Sequence, residues 1–466
     1  MDFDLIVVGA GPGGYVSAIR AAQLGLKTAI VEREALGGVC LNWGCIPTKA
    51  LLKSGEVYEN LSHLADYGIS IEGASFDFAK VIARSRKVAA QLNAGVGYLM
   101  KKHKIEVIEG TASLQKASPA PKVVVALKAG GSRTLTARSV ILATGARART
   151  IPAIGLEPDG AQVWSYREAM VPKAVPKSLI VIGSGAIGIE FASFYRALGA
   201  SVTVIEALDR ILPVEDEEVS TTARKAFEKR GIAFCVKATV KGLTKSKSGV
   251  SVSITVDEKI EVLTADVAIV AVGIVGNIEG LGLEALGVRI DRTHIVTDGH
   301  GATGVPGLFA IGDIAGPPWL AHKASHEGIH CVEHIAGLSP ANLTAPIPGC
   351  TYATPQIASV GLTEAQARER GMTIKVGRFP FKVNGKAIAS GETDGFVKTI
   401  FDESTGALIG AHMIGAEVAE MIQGFAVAMT LEATETELFS TVFPHPTLSE
   451  AMHEASLDAY GRVLHV

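Results

Sequence analysis

Two thiols with four residues between them, Cys40 and Cys45, can take up and release an electron pair by closing and opening a bridge. They lie in Gly37-Gly38-Val39-Cys40-Leu41-Asn42-Trp43-Gly44-Cys45-Ile46-Pro47-Thr48-Lys49. On an unbroken helix, positions i and i+5 are roughly 8–9 Å apart at Cα, whereas a bridge needs about 5.5–6 Å. A helix through both thiols must therefore be distorted. Gly44 and Pro47 can supply that, since the proline lacks a backbone donor and its ring crowds the carbonyl of Trp43. A strained, accessible bridge is the reducible, catalytic kind. Lys49 stands one helical turn beyond Cys45, where a cation stabilises a thiolate.

A dithiol reacts through its thiolate, so such a site needs a base. His445 lies in Phe443-Pro444-His445-Pro446, where the prolines fix the backbone around the imidazole. Glu450, five residues on in a helix expected over Thr447–Tyr460, can orient the ring and stabilise its charged form. The other cysteines, Cys235, Cys331 and Cys350, show no partner spacing and read as inert core thiols.

What must position these groups is a glycine turn used twice. Leu5-Ile6-Val7-Val8 runs into Gly9-Ala10-Gly11-Pro12-Gly13-Gly14, then a helical stretch to Gly25, then a strand ending at Glu32. Leu179-Ile180-Val181-Ile182 runs into Gly183-Ser184-Gly185-Ala186-Ile187-Gly188, then to Gly199, then to Glu206. Gly183, Gly185, Gly188 and Glu206 each stand 174 positions after Gly9, Gly11, Gly14 and Glu32. In such a unit the first glycine permits the tight turn and the second lets backbone approach a pyrophosphate. The third packs helix on strand, and the acid accepts from a ribose diol. Two units imply two dinucleotides, and the natural pair is a flavin and a nicotinamide. Glu206 would repel a 2′-phosphate and Ala207-Leu208-Asp209 supplies no counter-cation, which favours NAD over NADP; Arg210 is the one nearby cation. Two more buried strands end in clamp-like turns, Ser139–Gly145 at Thr144-Gly145 and Gly307–Asp313 at Gly312-Asp313. Asp313 is suited to a ribityl chain, and Lys49 to a reduced flavin anion as well as a thiolate.

The chain around these motifs has 466 residues, 48% hydrophobic and 20% charged, with a net charge of −3. That excludes disorder and offers no electrostatic footprint for nucleic acid or an anionic membrane. The longest apolar runs, such as Val267–Gly276, fall short of the ~20 residues that span a bilayer. The acidic Met1-Asp2-Phe3-Asp4 lacks the positive region of a signal peptide, and five cysteines make no disulfide framework, so a cytoplasmic protein is expected. No metal site is expected. The fold class expected is α/β, with two Rossmann-like dinucleotide-binding domains and a separate α+β unit over the last ~120 residues, to which the resemblance described below adds a central domain and the role of a dimerisation domain for the C-terminal unit. The pattern places a helix over Glu217–Arg230, antiparallel strands such as Val250–Val256, and in the last segment strands at Phe396–Ile400 and Ala407–Ile414 with helices at Ala416–Leu431 and Thr447–Tyr460. Pro- and small-residue-rich linkers are expected at Ser118–Pro121, Ile151–Gly160, Pro172–Pro176 and Ser339–Pro348.

Over essentially its whole length the sequence resembles the class I flavin-dependent pyridine nucleotide–disulfide oxidoreductases. The resemblance is carried by Gly37–Lys49, both glycine units, Gly312-Asp313, Pro318-Trp319-Leu320-Ala321-His322-Lys323-Ala324 and His445-Pro446-Thr447-Leu448-Ser449-Glu450. It implies FAD in the first unit and NAD in the second, and divides the chain into 1-148 (FAD and redox disulfide), 149-275 (NAD), 276-346 (central) and 347-466 (interface). It implies that Cys45 is the flavin-proximal thiol of a charge-transfer complex, that Cys40 exchanges with substrate, and that Lys49 pairs with Glu190 near the flavin. It extends the cofactor-binding set to Gly37, Ala321 and Gly273. His445 would work in the neighbouring subunit, which requires a homodimer. The implied reaction is NAD+-linked oxidation of protein-bound dihydrolipoamide, with a lipoyl-bearing acyltransferase core of 2-oxo-acid dehydrogenase complexes or the glycine cleavage H protein as partner. The rival expectations are an NADPH-dependent reductase of glutathione or a related disulfide, and a flavoprotein docking subunit with a vestigial thiol pair. The chain departs from the family pattern at Gly273-Ile274-Val275-Gly276-Asn277, where an Arg and a Pro are usual, and at Pro444, where a small residue is usual.

Overall fold

The computed structural model describes residues 1–338 and 345–466, so Ser339–Thr344 of the expected linker Ser339–Pro348 lie outside the described residues. The chain packs as two compact units. One contains Met1–Ala50, Ala79–Arg149 and the stretch from Gly273; the other contains Leu51–Phe78, Thr150–Val272 and Ala345–Val466.

The first unit is built on a seven-stranded sheet in the order Leu308–Ala310, Ala137–Leu142, Phe3–Val8, Thr28–Glu32, Glu106–Gln115, Lys122–Leu127, Ser132–Leu135. Its first five strands are parallel; the apolar runs of the first four are almost wholly buried, as expected for strands covered on both faces, whereas Glu106–Gln115 alternates between buried and exposed residues. The last two close an antiparallel ribbon on the edge. The chain leaves Phe3–Val8 toward one side of the sheet and later returns on the other. The turn at Gly9 therefore opens at the topological switch point, where α/β sheets bind ligands. Ser118–Pro121 corrects one expectation. It joins Glu106–Gln115 to its antiparallel partner Lys122–Leu127, with Ala120 buried, and is a hairpin connection rather than a boundary.

In the second unit a five-stranded parallel sheet has the order Ile232–Cys235, Ser201–Ile205, Ser178–Ile182, Val267–Val270, Val163–Trp164. Here too the strand leading into the glycine turn, Ser178–Ile182, lies at the switch point. The excursion Thr239–Ser246, Gly249–Val256, Lys259–Ala265 is a three-stranded antiparallel sheet. A C-terminal antiparallel sheet, ordered Gly349–Thr351, Gln356–Gly361, Leu408–Gly415, Phe396–Asp402, Ile374–Pro380, packs the helices Val418–Thr430 and Glu450–Asp458 over Phe379, Phe401 and Met413, with Phe425 of the first helix in the same core. The last helix begins at Glu450 rather than Thr447. The Thr447 N–H is taken by Glu450 Oε2 at 2.9 Å and its hydroxyl donates to the Pro444 carbonyl at 2.8 Å, so local side-chain bonds hold a turn where helix was expected.

No helix among the described residues is long and apolar enough to cross a membrane.

Candidate active site

The thiol segment is two helices, Gly38–Trp43 and Cys45–Asn60, broken at Gly44 (φ −143°, ψ −116°). A Cβ at Gly44 would stand 3.1 Å from the Val39 carbonyl oxygen and 3.3 Å from the Cys40 Cα, so any side chain there would crowd the backbone where the chain folds back on Cys40. Pro47 plays a different part from the one its sequence position suggested: it sits in the first turn of the second helix, where the missing N–H breaks no intrahelical bond. The break makes Cys45 the first residue of a 16-residue helix, whose N-terminal dipole favours a thiolate.

Cys40 and Cys45 stand as thiols in hydrogen-bond contact. That bond, in which the Cys40 S–H donates to Cys45, is the first cause pushing the Cys40 thiol up, burial is the second, and the Lys49 charge opposes both. The pair is therefore asymmetric, with Cys40 held neutral and Cys45 at the electropositive helix start.

The first glycine turn carries this segment. Gly37 (φ +88°) donates to the Ala10 carbonyl at 2.8 Å, and a Cβ on Gly38 would stand 2.7 Å from the Gly11 Cα, so the thiol helix rests directly on the fingerprint loop. Gly9 (φ +100°) and Gly14 admit no Cβ, which would strike the Ala143 and Gly9 carbonyls respectively. Gly11 has nothing within 4 Å of its Cβ direction, and this open cradle is what the approach of a pyrophosphate requires.

The second turn repeats the first nearly atom for atom. Gly183 (φ +103°) and Gly188 are closed by the Ala271 and Gly183 carbonyls, and Gly185 is open. The acids match as well. Glu32 accepts from the Ala10 N–H (2.7 Å) and the Glu34 N–H (2.8 Å); Glu206 accepts from the Ser184 N–H (3.0 Å) and the Leu208 N–H (2.9 Å). Each acid braces its own turn in addition to being available to a diol. One bond has no counterpart in the first turn: the Ser184 hydroxyl donates to Glu206 Oε2 at 2.6 Å.

The clamps assemble in the first unit. Thr144 Oγ1 donates to the Asn277 carbonyl at 2.9 Å, and Asn277 returns its side-chain amide to the Thr144 carbonyl and its backbone N–H to Gly145, both at 2.9 Å. The departure from the family pattern thus forms an edge ribbon, Ile274–Gly276 paired with Ala146–Ala148, with Gly273 (φ +103°) receiving the Arg149 N–H. Gly312 donates to Glu327 Oε2 at 2.8 Å, and the buried Lys323 ties Glu327 Oε1 (2.9 Å) to the Gly316 carbonyl (2.8 Å). Burial pushes the Asp313 carboxyl up, Lys323 opposes it and Glu327 adds to it. Ala321 opens the helix Ala321–Ile335.

In the second unit His445 Nδ1 meets Glu450 Oε1 at 2.9 Å, with the His445 side chain 77% exposed. Burial works against the Glu450 carboxylate, but the Thr447 N–H and the His445 ring outweigh it and hold the group below the usual carboxylate range. Glu190 is no surface acid: it is 6% exposed, and its Oε1 accepts from the Tyr352 N–H at 3.0 Å. Tyr352 is pushed up to about 12, by burial first and then by Cys350, Glu420 and Glu190. Cys331 is fully buried and its thiol raised by burial; Cys235 is raised for the same first reason.

Several contributors escape motif reading. Arg86 donates to the Asn42 carbonyl at 2.7 Å, and its guanidinium lies 4.7 Å over the Trp43 ring, gripping the end of the thiol helix. Tyr15 stands near Cys40, its phenol raised by burial first. Asn277, Arg86 and Ser184 are ordinary residue types whose partners are distant in sequence or unremarkable, so no spacing signals them.

The family model described as pyridine nucleotide-disulphide oxidoreductase matches residues 3–328, and that of the same family's dimerisation domain matches residues 347–456. The chain belongs to the pyridine nucleotide-disulphide oxidoreductase family. Among members of that family, the dihydrolipoyl dehydrogenase of Rhizobium etli is 58% identical, with 99% of each chain covered, and that of Bacillus subtilis is 44% identical, covering 100% of this chain and 99% of the relative. The crystal structure of LpdA from Mycobacterium tuberculosis superposes with a TM-score of 0.90 at 28% identity, over 97% of this chain and 98% of that one. The oxidoreductase family therefore accounts for the parallel sheets, both glycine turns and the C-terminal α+β sheet.

Proposed function

We propose that this chain is a dihydrolipoyl dehydrogenase, oxidising protein-bound dihydrolipoamide to lipoamide with NAD+. The observation that carries the reading is the thiol pair at the helix break, resting on an open dinucleotide turn. FAD would be held by Gly9, Gly11, Gly14, Glu32, Gly37, Lys49, Thr144, Gly145, Gly312, Asp313 and Ala321. NAD would be held by Gly183, Gly185, Gly188, Glu206 and Gly273. The open cradles at Gly11 and Gly185 fit these groups, and the raised Asp313 carboxyl fits a chain of hydroxyl donors. When bound, FAD supplies an acceptor for the electron pair and a route for it to leave as hydride on NAD+.

The protein's own groups do the rest. Glu450 holds His445 Nδ1, which leaves Nε2 to take the proton from a lipoyl thiol. The resulting thiolate attacks Cys40 Sγ; the Cys40–Cys45 bond breaks and its electron pair leaves as the Cys45 thiolate, stabilised by the helix start and Lys49. The second lipoyl thiol then displaces Cys40, which departs as a thiol, and lipoamide is released as the disulfide. The exposure of His445 fits service to the thiols of a partner subunit, so the working unit is a homodimer. We divide the chain into FAD (1–148), NAD (149–275), central (276–346) and interface (347–466) domains. The lipoyl carrier is an acyltransferase core or a glycine cleavage H protein, and the chain works in the cytoplasm.

A steady-state comparison tests the reading. NAD+ with dihydrolipoamide should turn over and NADPH with oxidised glutathione should not; the reverse preference would overturn it.

A further inference from the structure

We propose that Lys398 is a positioning residue for the nicotinamide dinucleotide, holding Glu206 in place through a buried chain that runs by way of Asp216, Leu212 and Ser184. The inference rests on the reading that the second glycine turn takes NAD.

Lys398 lies on the strand Phe396–Asp402 and is fully buried. Its three ammonium donors are all used: Asp216 Oδ1 at 2.9 Å, Glu218 Oε1 at 2.9 Å and Glu364 Oε2 at 2.8 Å. Arg378 pairs with Glu218 and Glu364, and Arg368 with Glu364, so three cations face three carboxylates. Within the cluster only Lys398 and Asp216 are buried, and a buried pair of this kind is no better for stability than apolar residues of the same volume. What it does that an apolar residue cannot is fix a carboxylate's direction, and the carboxylate in question is Asp216, only 3% exposed.

Asp216 caps the helix Glu217–Lys229, accepting from the Glu218 N–H at 3.1 Å, and terminates the segment that follows Glu206. Within that segment the Glu215 N–H donates to the Leu212 carbonyl at 2.9 Å, and Ser220 Oγ donates to the Ile211 carbonyl at 2.6 Å. Leu212 is bent into the left-handed region (φ +46°), which is strained for a residue with a branched side chain. It is held there by its N–H, which reaches the Ser184 carbonyl at 3.1 Å and Oγ at 3.3 Å. Ser184 in turn donates to Glu206 Oε2 at 2.6 Å. Lys398, Asp216, Leu212, Ser184 and Glu206 are all buried, and of the backbone that joins Asp216 to Leu212 only Val214 is turned out to solvent. The first turn has Ala10 where the second has Ser184, so this tie belongs to the second site alone.

The test uses the FAD-loaded dimer and two readouts: NAD+ Kd by calorimetry, and flavin bleaching by dihydrolipoamide without NAD+. Lys398→Met should weaken NAD+ about 3- to 30-fold, the range of couplings carried by such networks. Its bleaching rate should stay within about twofold of the parent. Ser184→Ala, which the alanine of the first turn shows to be compatible with the fold, should weaken NAD+ similarly, and Lys398→Met should add nothing on top of it. The inference is overturned if both single variants bind NAD+ as the parent does, if their effects multiply, or if Lys398→Met slows bleaching as much as it weakens NAD+. Should Lys398→Met not fold, Ser184→Ala carries the test: parental NAD+ affinity there also overturns it. Glu206→Ala separates the two layers. Unchanged NAD+ affinity in that variant removes the site reading and the inference with it, whereas weakened affinity there with parental affinity in the other two removes the inference alone.

Discussion

A single residue contributes here through the atom that holds it. His445 can present Nε2 to a thiol because Glu450 occupies Nδ1, so the two side chains should fail together without being equivalent. His445→Gln should lower dihydrolipoamide oxidation by about 10²- to 10⁴-fold, the usual span for a lost general base, and Glu450→Ala by less, since the imidazole remains. Stopped-flow reduction by dihydrolipoamide measures both; equal rates in the parent and His445→Gln would remove the base from the account. These residues were legible in the sequence because their context is local: Pro-His-Pro, a glutamate five positions on, a glycine just before Cys45. Asn277, by contrast, meets Thr144 across 133 positions, and no local pattern announces it. The depth of Glu190 was hidden for the same reason, since Tyr352, which caps it, is 162 positions away.

Turns and helix breaks are specified by glycine, and the glycines divide by what a Cβ would meet. Gly9→Ala and Gly183→Ala would drive a methyl group into a backbone carbonyl at positive φ and should prevent folding of their turns. Gly11→Ala and Gly185→Ala meet nothing within 4 Å and have φ of −68° and −67°, so the methyl lies only where a pyrophosphate would come. The expected outcome is a normal melting temperature in both, with FAD retention lost in Gly11→Ala and NAD+ affinity lost in Gly185→Ala. Calorimetry and flavin absorbance check this, and full cofactor binding in either variant would count against that site. The strand-turn-helix-acid units were readable because every constraint lies within about 24 residues of the first glycine. The proline-rich Ser118–Pro121 misled as a boundary because composition marks a turn equally well inside a sheet, and Thr447 because side-chain bonds to Glu450 and Pro444 displaced the helix start.

At the scale of the whole molecule, stability should carry an acid-sensitive component from the Lys398 cluster. Arg378 first, then Lys398, pulls Glu218 down to about 2 from an ordinary 4.5, against some burial. A depressed carboxyl contributes stability that is complete above its unfolded value and is lost as pH falls through its folded one. Glu218→Gln should therefore destabilise at pH 7 and make little difference near pH 2, as read by denaturant midpoints across that window; a penalty that grew toward low pH would contradict the assignment. The fold class was readable at this scale because the 174-residue repeat fixes two parallel sheets, while the ion cluster was not, since its members are scattered from Asp216 to Lys398. Turnover depends on an electron pair passing from a dithiol through Cys40 and Cys45 to a flavin. Anaerobic titration of the FAD-loaded protein with dihydrolipoamide tests this most directly. A long-wavelength absorption band from a thiolate against oxidised flavin should grow in the parent and be absent in Cys45→Ser. A parent protein without the band, or a Cys45→Ser variant that keeps it, would contradict the account.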